Sequence, residues 1–298
     1  MLKSILGSMG KVALVSVACI SVLSYSNAEE QKVINFGIIS TESSQNLKSD
    51  WQPLLDDMSK QVGAEIKPFF ASDYAGVIQA MRFGKVDMAW YGNKSAMEAV
   101  DRASGEVFAR VVYDDGTTGY KSVLIAQKNS PINNVEDMLA SASTLNFGNG
   151  DPNSTSGYLV PAYYVFGQHN VDAKQIFKRT LNANHESNLM AVANGQLDVA
   201  TFNSNGWDMM KERQPEILAK VKIIWESPEI PSDPLVWRSD MSDNMKKKVK
   251  AFFLNYGATP EEQATLKRLS WSKFQASDNS QLQPIRELEA FKKAQANQ

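Results

Sequence analysis

The residues Asp151-Pro152-Asn153-Ser154-Thr155-Ser156-Gly157 bring three adjacent hydroxyls to a place where a helix should begin. A short apolar strand, Leu145 to Phe147, and a Gly148-Asn149-Gly150 turn precede them, and an aromatic and aliphatic run from Tyr158 to Phe166 follows. The first N–H groups of a helix have no partner within it and carry a partial positive charge, so an anion placed there gathers several donors without a full cation. Hydroxyls add donors that rotate onto an oxyanion. The same residues also suit an ordinary N-cap. Of the two histidines, His169 beside Asn170 reads as a helix-end or surface residue. His185 comes just before a helix, where a cationic ring would oppose the helix dipole unless an anion offset it. No His/Cys/Asp grouping has zinc spacing, and neither a phosphate-binding Gly-rich lysine motif nor a Gly-x-Ser-x-Gly elbow occurs. The expectation is a binding site with no catalytic residue, no metal and no cofactor.

Positioning such a cradle takes a strand, a turn and a helix, and the chain spells out related units twice. Ala80-Met81-Arg82-Phe83-Gly84-Lys85-Val86-Asp87-Met88-Ala89-Trp90-Tyr91 and Ala191-Val192-Ala193-Asn194-Gly195-Gln196-Leu197-Asp198-Val199-Ala200-Thr201-Phe202 share one pattern. Each reads as a helix end, a glycine in the left-handed cap position, a polar residue, and a short strand carrying Asp and Ala. The two glycines stand 111 residues apart, and the matching apolar phasing points to two similar α/β lobes. Asp87 and Asp198 read as backbone ties at strand starts.

Strand patterns at Val33 to Ile39, Ile66 to Phe70 and Val86 to Trp90 alternate with helical patterns at Leu47 to Val62 and Tyr74 to Arg82, which implies a largely parallel sheet. Val107 to Tyr113 and Tyr120 to Ala126 read as further strands of that lobe, and the chain is expected to cross into a second lobe near Lys128 to Pro131. Pro228, Pro231 and Pro234 punctuate the way back. Lobe 1 is thus expected over 29–128 and 235–298, and lobe 2 over 129–234. Two crossings make a hinge, and open α/β sheets bind ligands beyond the carboxyl ends of their strands, here in an interlobe cleft.

Residues 1–28 carry a basic start at Lys3 and Lys11, an apolar run from Val12 to Tyr25 and small residues at Ser26 and Ala28, the pattern of a signal peptide cleaved after Ala28. A lipoprotein reading would use Cys19, but Ser16-Val17-Ala18 lacks the leucine three residues upstream. Cys19 is the only cysteine, so the mature chain would hold no disulfide, which suits a periplasm. Losing Lys3 and Lys11 takes the formal charge from −2 to −4. A mildly acidic chain without a basic stripe argues against nucleic acid as a partner.

Five segments then carry a resemblance: Asn35-Phe36-Gly37-Ile38-Ile39-Ser40-Thr41-Glu42-Ser43, Asp73-Tyr74-Ala75-Gly76, Ala89-Trp90-Tyr91-Gly92-Asn93, Gly148 to Gly157, and Pro231-Ser232-Asp233-Pro234. Over the whole mature length the sequence resembles the periplasmic phosphonate-binding proteins of bacterial phosphonate ABC importers, which are type II solute-binding proteins. The resemblance implies a bilobed periplasmic-binding-protein fold, α/β, with two mixed, largely parallel sheets. It implies that Ser154, Thr155 and Ser156 hold phosphonate oxygens together with His185, Tyr74 and Tyr120, and that Asp233 faces the ammonium of a 2-aminoethylphosphonate-like ligand. Tyr91 is a further candidate, equally readable as a half-buried aromatic. Where the family pattern has a second ammonium-facing glutamate, this chain has Asn205, an acceptor without charge. The implied partners are an inner-membrane ABC permease and its ATPase. The chain ends at Gln298 without the charged extension of some relatives, so a monomer is expected. Alternatives are a receptor for phosphite, methylphosphonate or a phosphate ester, a sensor partner, and an enzyme using His185 and Asp233 as an acid–base pair.

Overall fold

The computed structural model describes residues 33–296; the expected signal peptide lies outside the described residues. The first run is β1 (Val33–Ile38), α1 (Ser44–Val62), β2 (Glu65–Phe70), α2 (Tyr74–Arg82), β3 (Met88–Trp90), α3 (Asn93–Arg102) and β4 (Gly105–Tyr113). The chain continues through β5 (Gly119–Tyr120), β6 (Ser122–Gln127), α4 (Val135–Ser141) and β7 (Asn146–Asn149), then two π-helical stretches, Thr155–Leu159 and Ala162–Gly167. Next come α5 (Ala173–Ile176), β8 (Arg179–Asn182), α6 (His185–Ala193), β9 (Val199–Asn203), α7 (Ser204–Arg213), α8 (Pro215–Leu218) and β10 (Val221–Glu226). It returns by β11 (Ile230–Pro231), β12 (Pro234–Arg238), α9 (Asp243–Asn255), α10 (Pro260–Lys267), β13 (Trp271–Ala276) and α11 (Gln283–Ala296).

Two sheets result. One has the strand order β13-β4-β12-β3-β1-β2 and the other β10-β6-β9-β7-β8, while β5 and β11 pair as a separate antiparallel ribbon. Helical crossovers make β2-β1-β3 and β8-β7-β9 parallel, and every remaining pairing within the two sheets is antiparallel. The sheets are therefore mixed, with the parallel part confined to those three-strand blocks.

The repeat is structural. Phe36 pairs with Met88 and Phe147 with Val199, each partner 111 residues on from its counterpart. Asp87 Oδ2 accepts from Asn35 N (2.7 Å) and Nδ2 (3.1 Å), and Asp198 Oδ2 accepts from Asn146 N (2.7 Å) and Nδ2 (3.3 Å). Gly84 (φ 67°) and Gly195 (φ 73°) take the left-handed conformation that ends α2 and α6. Without a Cβ, each lets the chain reverse from helix to strand in the few residues available.

The crossing between sheets differs from the expectation. β6 pairs with β9 and β10 in the five-stranded sheet, so the first crossing lies between Tyr120 and Ser122, ahead of Lys128 to Pro131. The apolar run from Tyr120 to Ala126 reads as one strand, but Lys121 interrupts it, with its N–H donating to Ser204 Oγ (2.9 Å). The antiparallel ribbon β5-β11 carries both passages side by side.

The six-stranded sheet packs around Phe36, Trp51, Trp90, Phe253 and Trp271, with Trp51 in ring contact with both other tryptophans at 5.3–5.4 Å. The five-stranded sheet buries Phe147, Phe166 and Phe177 in one cluster and Leu189, Val192 and Phe202 in another. Removing either aspartate tie should loosen one lobe. Asp198→Ala is expected to cost about 1–3 kcal/mol, the usual range for stranding a buried donor, read as a lower midpoint in urea unfolding.

Candidate functional site

The cradle is built where β7 hands the chain to the π-helix. Gly150 N–H donates to Gly157 O at 2.8 Å, and a Cβ on Gly150 would sit 2.5 Å from Gly157 Cα, so only glycine permits this approach. Asp151 Oδ1 accepts from Asn153 N (2.7 Å), and Ser154 Oγ caps the helix by accepting from Gly157 N (3.0 Å). A π-helix bonds five residues ahead, as Leu159 N to Ser154 O at 3.2 Å does, which frees one more N–H at the start than an α-helix would. Ser154, Thr155 and Ser156 are all buried.

Eight of the nine expected residues, Tyr74, Tyr120, Ser154, Thr155, Ser156, His185, Asn205 and Asp233, line one cavity of about 80 Å³. Tyr91 does not. It is fully buried in the core, and its hydroxyl donates to Val77 O at 3.2 Å, which satisfies the phenol away from the cleft. The expectation for Tyr91 is therefore corrected: beyond the end of β3 its ring turns under α2.

Several cavity groups lack partners. His185 Nδ1, Asp233 Oδ1 and Trp90 Nε1 are shielded from solvent with no hydrogen bond. His185 Nε2 lies 3.4 Å from Ser154 Oγ. Tyr74 and Tyr120 are buried and line the same cavity as the three hydroxyls and Asp233. Burial sets the titration of these groups: it pushes His185 down to about 4, so its ring is neutral at pH 7, and lifts Asp233 to about 7. The phenols of Tyr113 and Tyr120 are raised first by burial and then by the Asp233 charge, and that of Tyr74 first by burial, then by Asp151 and then by Asp233.

Sequence reasoning missed other lining residues, among them Thr41, Glu42, Tyr113, Glu186 and Asn203. Burial, with Glu186 and Asp50 nearby, raises the Glu42 carboxyl to about 7 against the lowering pull of Arg213. A signal for these did exist. N-caps stand 111 residues apart at Ser43 and Ser154, Asp73 and Asn184, and Gly92 and Asn203, so each helix start at the cleft predicts another.

Two α/β lobes joined by a paired crossing, with helix starts and unpartnered polar atoms around one cavity, define a solute receptor of the type II periplasmic-binding class. A family profile described as the periplasmic substrate-binding protein of a phosphonate ABC transporter matches residues 36–282. The phosphonates-binding periplasmic protein of Escherichia coli K12 is 59% identical over 276 residues, covering 92% of this chain and 81% of that one. The crystal structure of a binding component of a phosphonate ABC transporter from Pseudomonas aeruginosa superposes with a TM-score of 0.88 at 62% identity, covering 90% and 88% of the two chains. The fold is shared also with PhnD1 of Prochlorococcus marinus, solved with methylphosphonate, at a TM-score of 0.77 and 24% identity over 86% and 97%. The chain belongs to the periplasmic phosphonate-binding proteins of ABC transporters. It is a transport receptor and not an enzyme.

The shifts of His185 and Asp233 contribute opposite slopes to the pH dependence of stability. A histidine lowered to about 4 gives stability that is complete above its unfolded value of 6.5 and is lost as pH falls toward 4. A carboxyl raised to about 7 favours the protonated fold, so stability falls as pH rises from 3.8 to 7. The two slopes oppose each other between about pH 4 and 6.5, each worth up to about 3 kcal/mol. Compared with the parent, Asp233→Asn should therefore gain stability more steeply with rising pH in that window, and His185→Gln less steeply, in urea unfolding at a series of pH values.

Proposed function

We propose that the cavity takes a short phosphonate with its phosphorus end on Ser154, Thr155 and Ser156 and its substituent toward Asp233 and Asn205. The observation that carries this is the set of three buried hydroxyls at the π-helix start, opposite a carboxylate oxygen with no partner. Hydroxyls and N–H groups hold a tetrahedral oxyanion strongly yet reversibly, as release to a permease requires, whereas arginines would hold it more tightly. His185, neutral at pH 7, donates one N–H to the phosphonate, and Tyr74 and Tyr120 close the sides. The cavity volume suits a ligand of few heavy atoms.

Asp233 is the countercharge for an ammonium, which would draw its proton off and restore the carboxylate. This supports a 2-aminoethylphosphonate-like ligand. A second reading, methylphosphonate or phosphite, is favoured by Asn205, which offers no charge beside Asp233. The Prochlorococcus relative PhnD1 is named for phosphite and was solved with methylphosphonate. The protein works as a periplasmic monomer, released from its signal peptide after Ala28, and hands its ligand to a membrane permease driven by an ATPase. A thermal-shift panel of phosphonates, phosphite and phosphate esters decides among ligands, because a ligand at 100 times its dissociation constant stabilises by about 2.7 kcal/mol.

Two outcomes are expected from variants. Ser154→Ala and Thr155→Val should each weaken phosphonate binding by about 1–3 kcal/mol with the fold intact, and calorimetry showing unchanged affinity in both would remove the cradle from the site. Asn205→Glu should tighten 2-aminoethylphosphonate by about five- to thirtyfold, the worth of one charge-assisted partner. It should leave methylphosphonate unchanged or weaker, since an unpaired carboxylate in a closed cleft is costly. Equal shifts for the two ligands would mean that position 205 does not face the substituent.

A further inference from the structure

Three helices of the six-stranded lobe start at the cleft, and each finds an acceptor in the other lobe. Glu186, at the start of α6, accepts from Ser43 N through Oε2 and from Asn46 Nδ2 through Oε1, both at 2.7 Å. Asp151 Oδ2 accepts from Tyr74 N, the first residue of α2, at 3.1 Å. Thr155 Oγ1 accepts from Lys94 N, in the first turn of α3, at 2.8 Å. In the reverse direction Glu186 N–H donates to Thr41 O at 3.3 Å. Arg213 of α7 adds an ion pair to Asp50 of α1 at 2.7 Å.

Acceptors at a helix start satisfy donors that the helix cannot, and negative ones also meet its dipole. Such bonds normally come from the capping residue itself. Here they come from the opposite lobe, so they exist only when the lobes are together. We infer that Glu186, Asp151 and Thr155 cap the helices of the first lobe in trans and form the latch that holds the cleft closed. Glu186 is then a positioning residue, which sets affinity through closure for any ligand of the site.

Thr155 links the latch to the ligand. A hydroxyl accepts and donates at once, so its oxygen holds the Lys94 N–H while its hydrogen is left for an oxyanion in the cradle. Binding at the phosphorus end thereby orients the group that closes on α3. Asp151 has a double role of the same kind, shaping the cradle through Asn153 N and capping α2 through its other oxygen.

The affinity part of this inference rests on the phosphonate reading, whereas the latch itself is tested without ligand. Weakening the latch shifts the lobes toward the open form, which appears as an opened free protein, as weaker binding, or as both. Glu186→Gln should enlarge the radius of gyration of the free protein in small-angle scattering. It should also weaken methylphosphonate and 2-aminoethylphosphonate by the same factor, up to about tenfold for one charge-assisted bond pair, mainly through faster dissociation. Asn46→Ala, which removes one of the two donors without altering Glu186, should act in the same direction and less strongly. Unchanged scattering together with unchanged dissociation constants in both variants overturns the latch, as does a loss confined to 2-aminoethylphosphonate, which would put Glu186 on the ligand's amine. If the parent binds neither phosphonate, the ligand reading falls and the scattering comparison still decides the latch.

Discussion

Six helices begin at the cleft, with N-caps at Ser43, Asp73 and Gly92 in one lobe and Ser154, Asn184 and Asn203 in the other. Their unpaired N–H groups make the space between the lobes a region of positive potential that must be met by acceptors. Caps on their own chain answer part of the demand, as Asp73 does for Gly76 N and Asn184 for Ser187 N, both at 2.8 Å. The cradle leaves a remainder. That remainder is what would let the proposed oxyanion bind here without an arginine, with hydroxyls as its side-chain ligands.

The arrangement follows from repeating one unit. A helix ended by a left-handed glycine, then an aspartate tied to the strand beside it, returns the chain to the same edge of each sheet. Every following helix must then start at the same end of its lobe, and the paired crossing β5-β11 turns those ends toward each other. The repeat is not symmetric in its chemistry, however. Tyr74 and His185 occupy equivalent first positions of α2 and α6, and Ser43 and Ser154 equivalent caps, yet the π-helical winding and three adjacent hydroxyls occur at Ser154. Divergence between equivalent positions has thus given the buried hydroxyls to one lobe and the donors of the latch to the other.

Much of this was legible in the residues, because it rests on local chemistry. Turn glycines, caps and apolar phasing placed α2 over Tyr74–Arg82 and marked the cradle. What was hidden depends on tertiary partners or on broken periodicity. β13 escaped because a register shift between Trp271 and Lys273 puts its buried residues, Trp271 and Phe274, three apart, which spoils the alternation of a strand. The early crossing escaped because an apolar run cannot announce which sheet its two halves join. Tyr91 looked like a cleft residue by its neighbours Trp90 and Gly92, while the Val77 carbonyl that takes its hydroxyl proton is visible only once α2 is packed. The latch escaped for the same reason, as Glu186 and Ser43 lie 143 residues apart.

Within the cavity, two groups with displaced titration serve opposite ends of the proposed ligand. His185, kept neutral by burial, can offer one N–H to an oxyanion without fixing a full positive charge that would make release slow. Asp233, held near neutrality by burial, carries its charge at little cost only when a cation arrives to share it. An empty closed cleft therefore stores neither a free cation at the cradle nor a settled carboxylate opposite, and the lobes can approach without trapping unpaired charge. Closure then depends on bonds between the lobes, and selectivity on which ligand completes the polar atoms those lobes leave open.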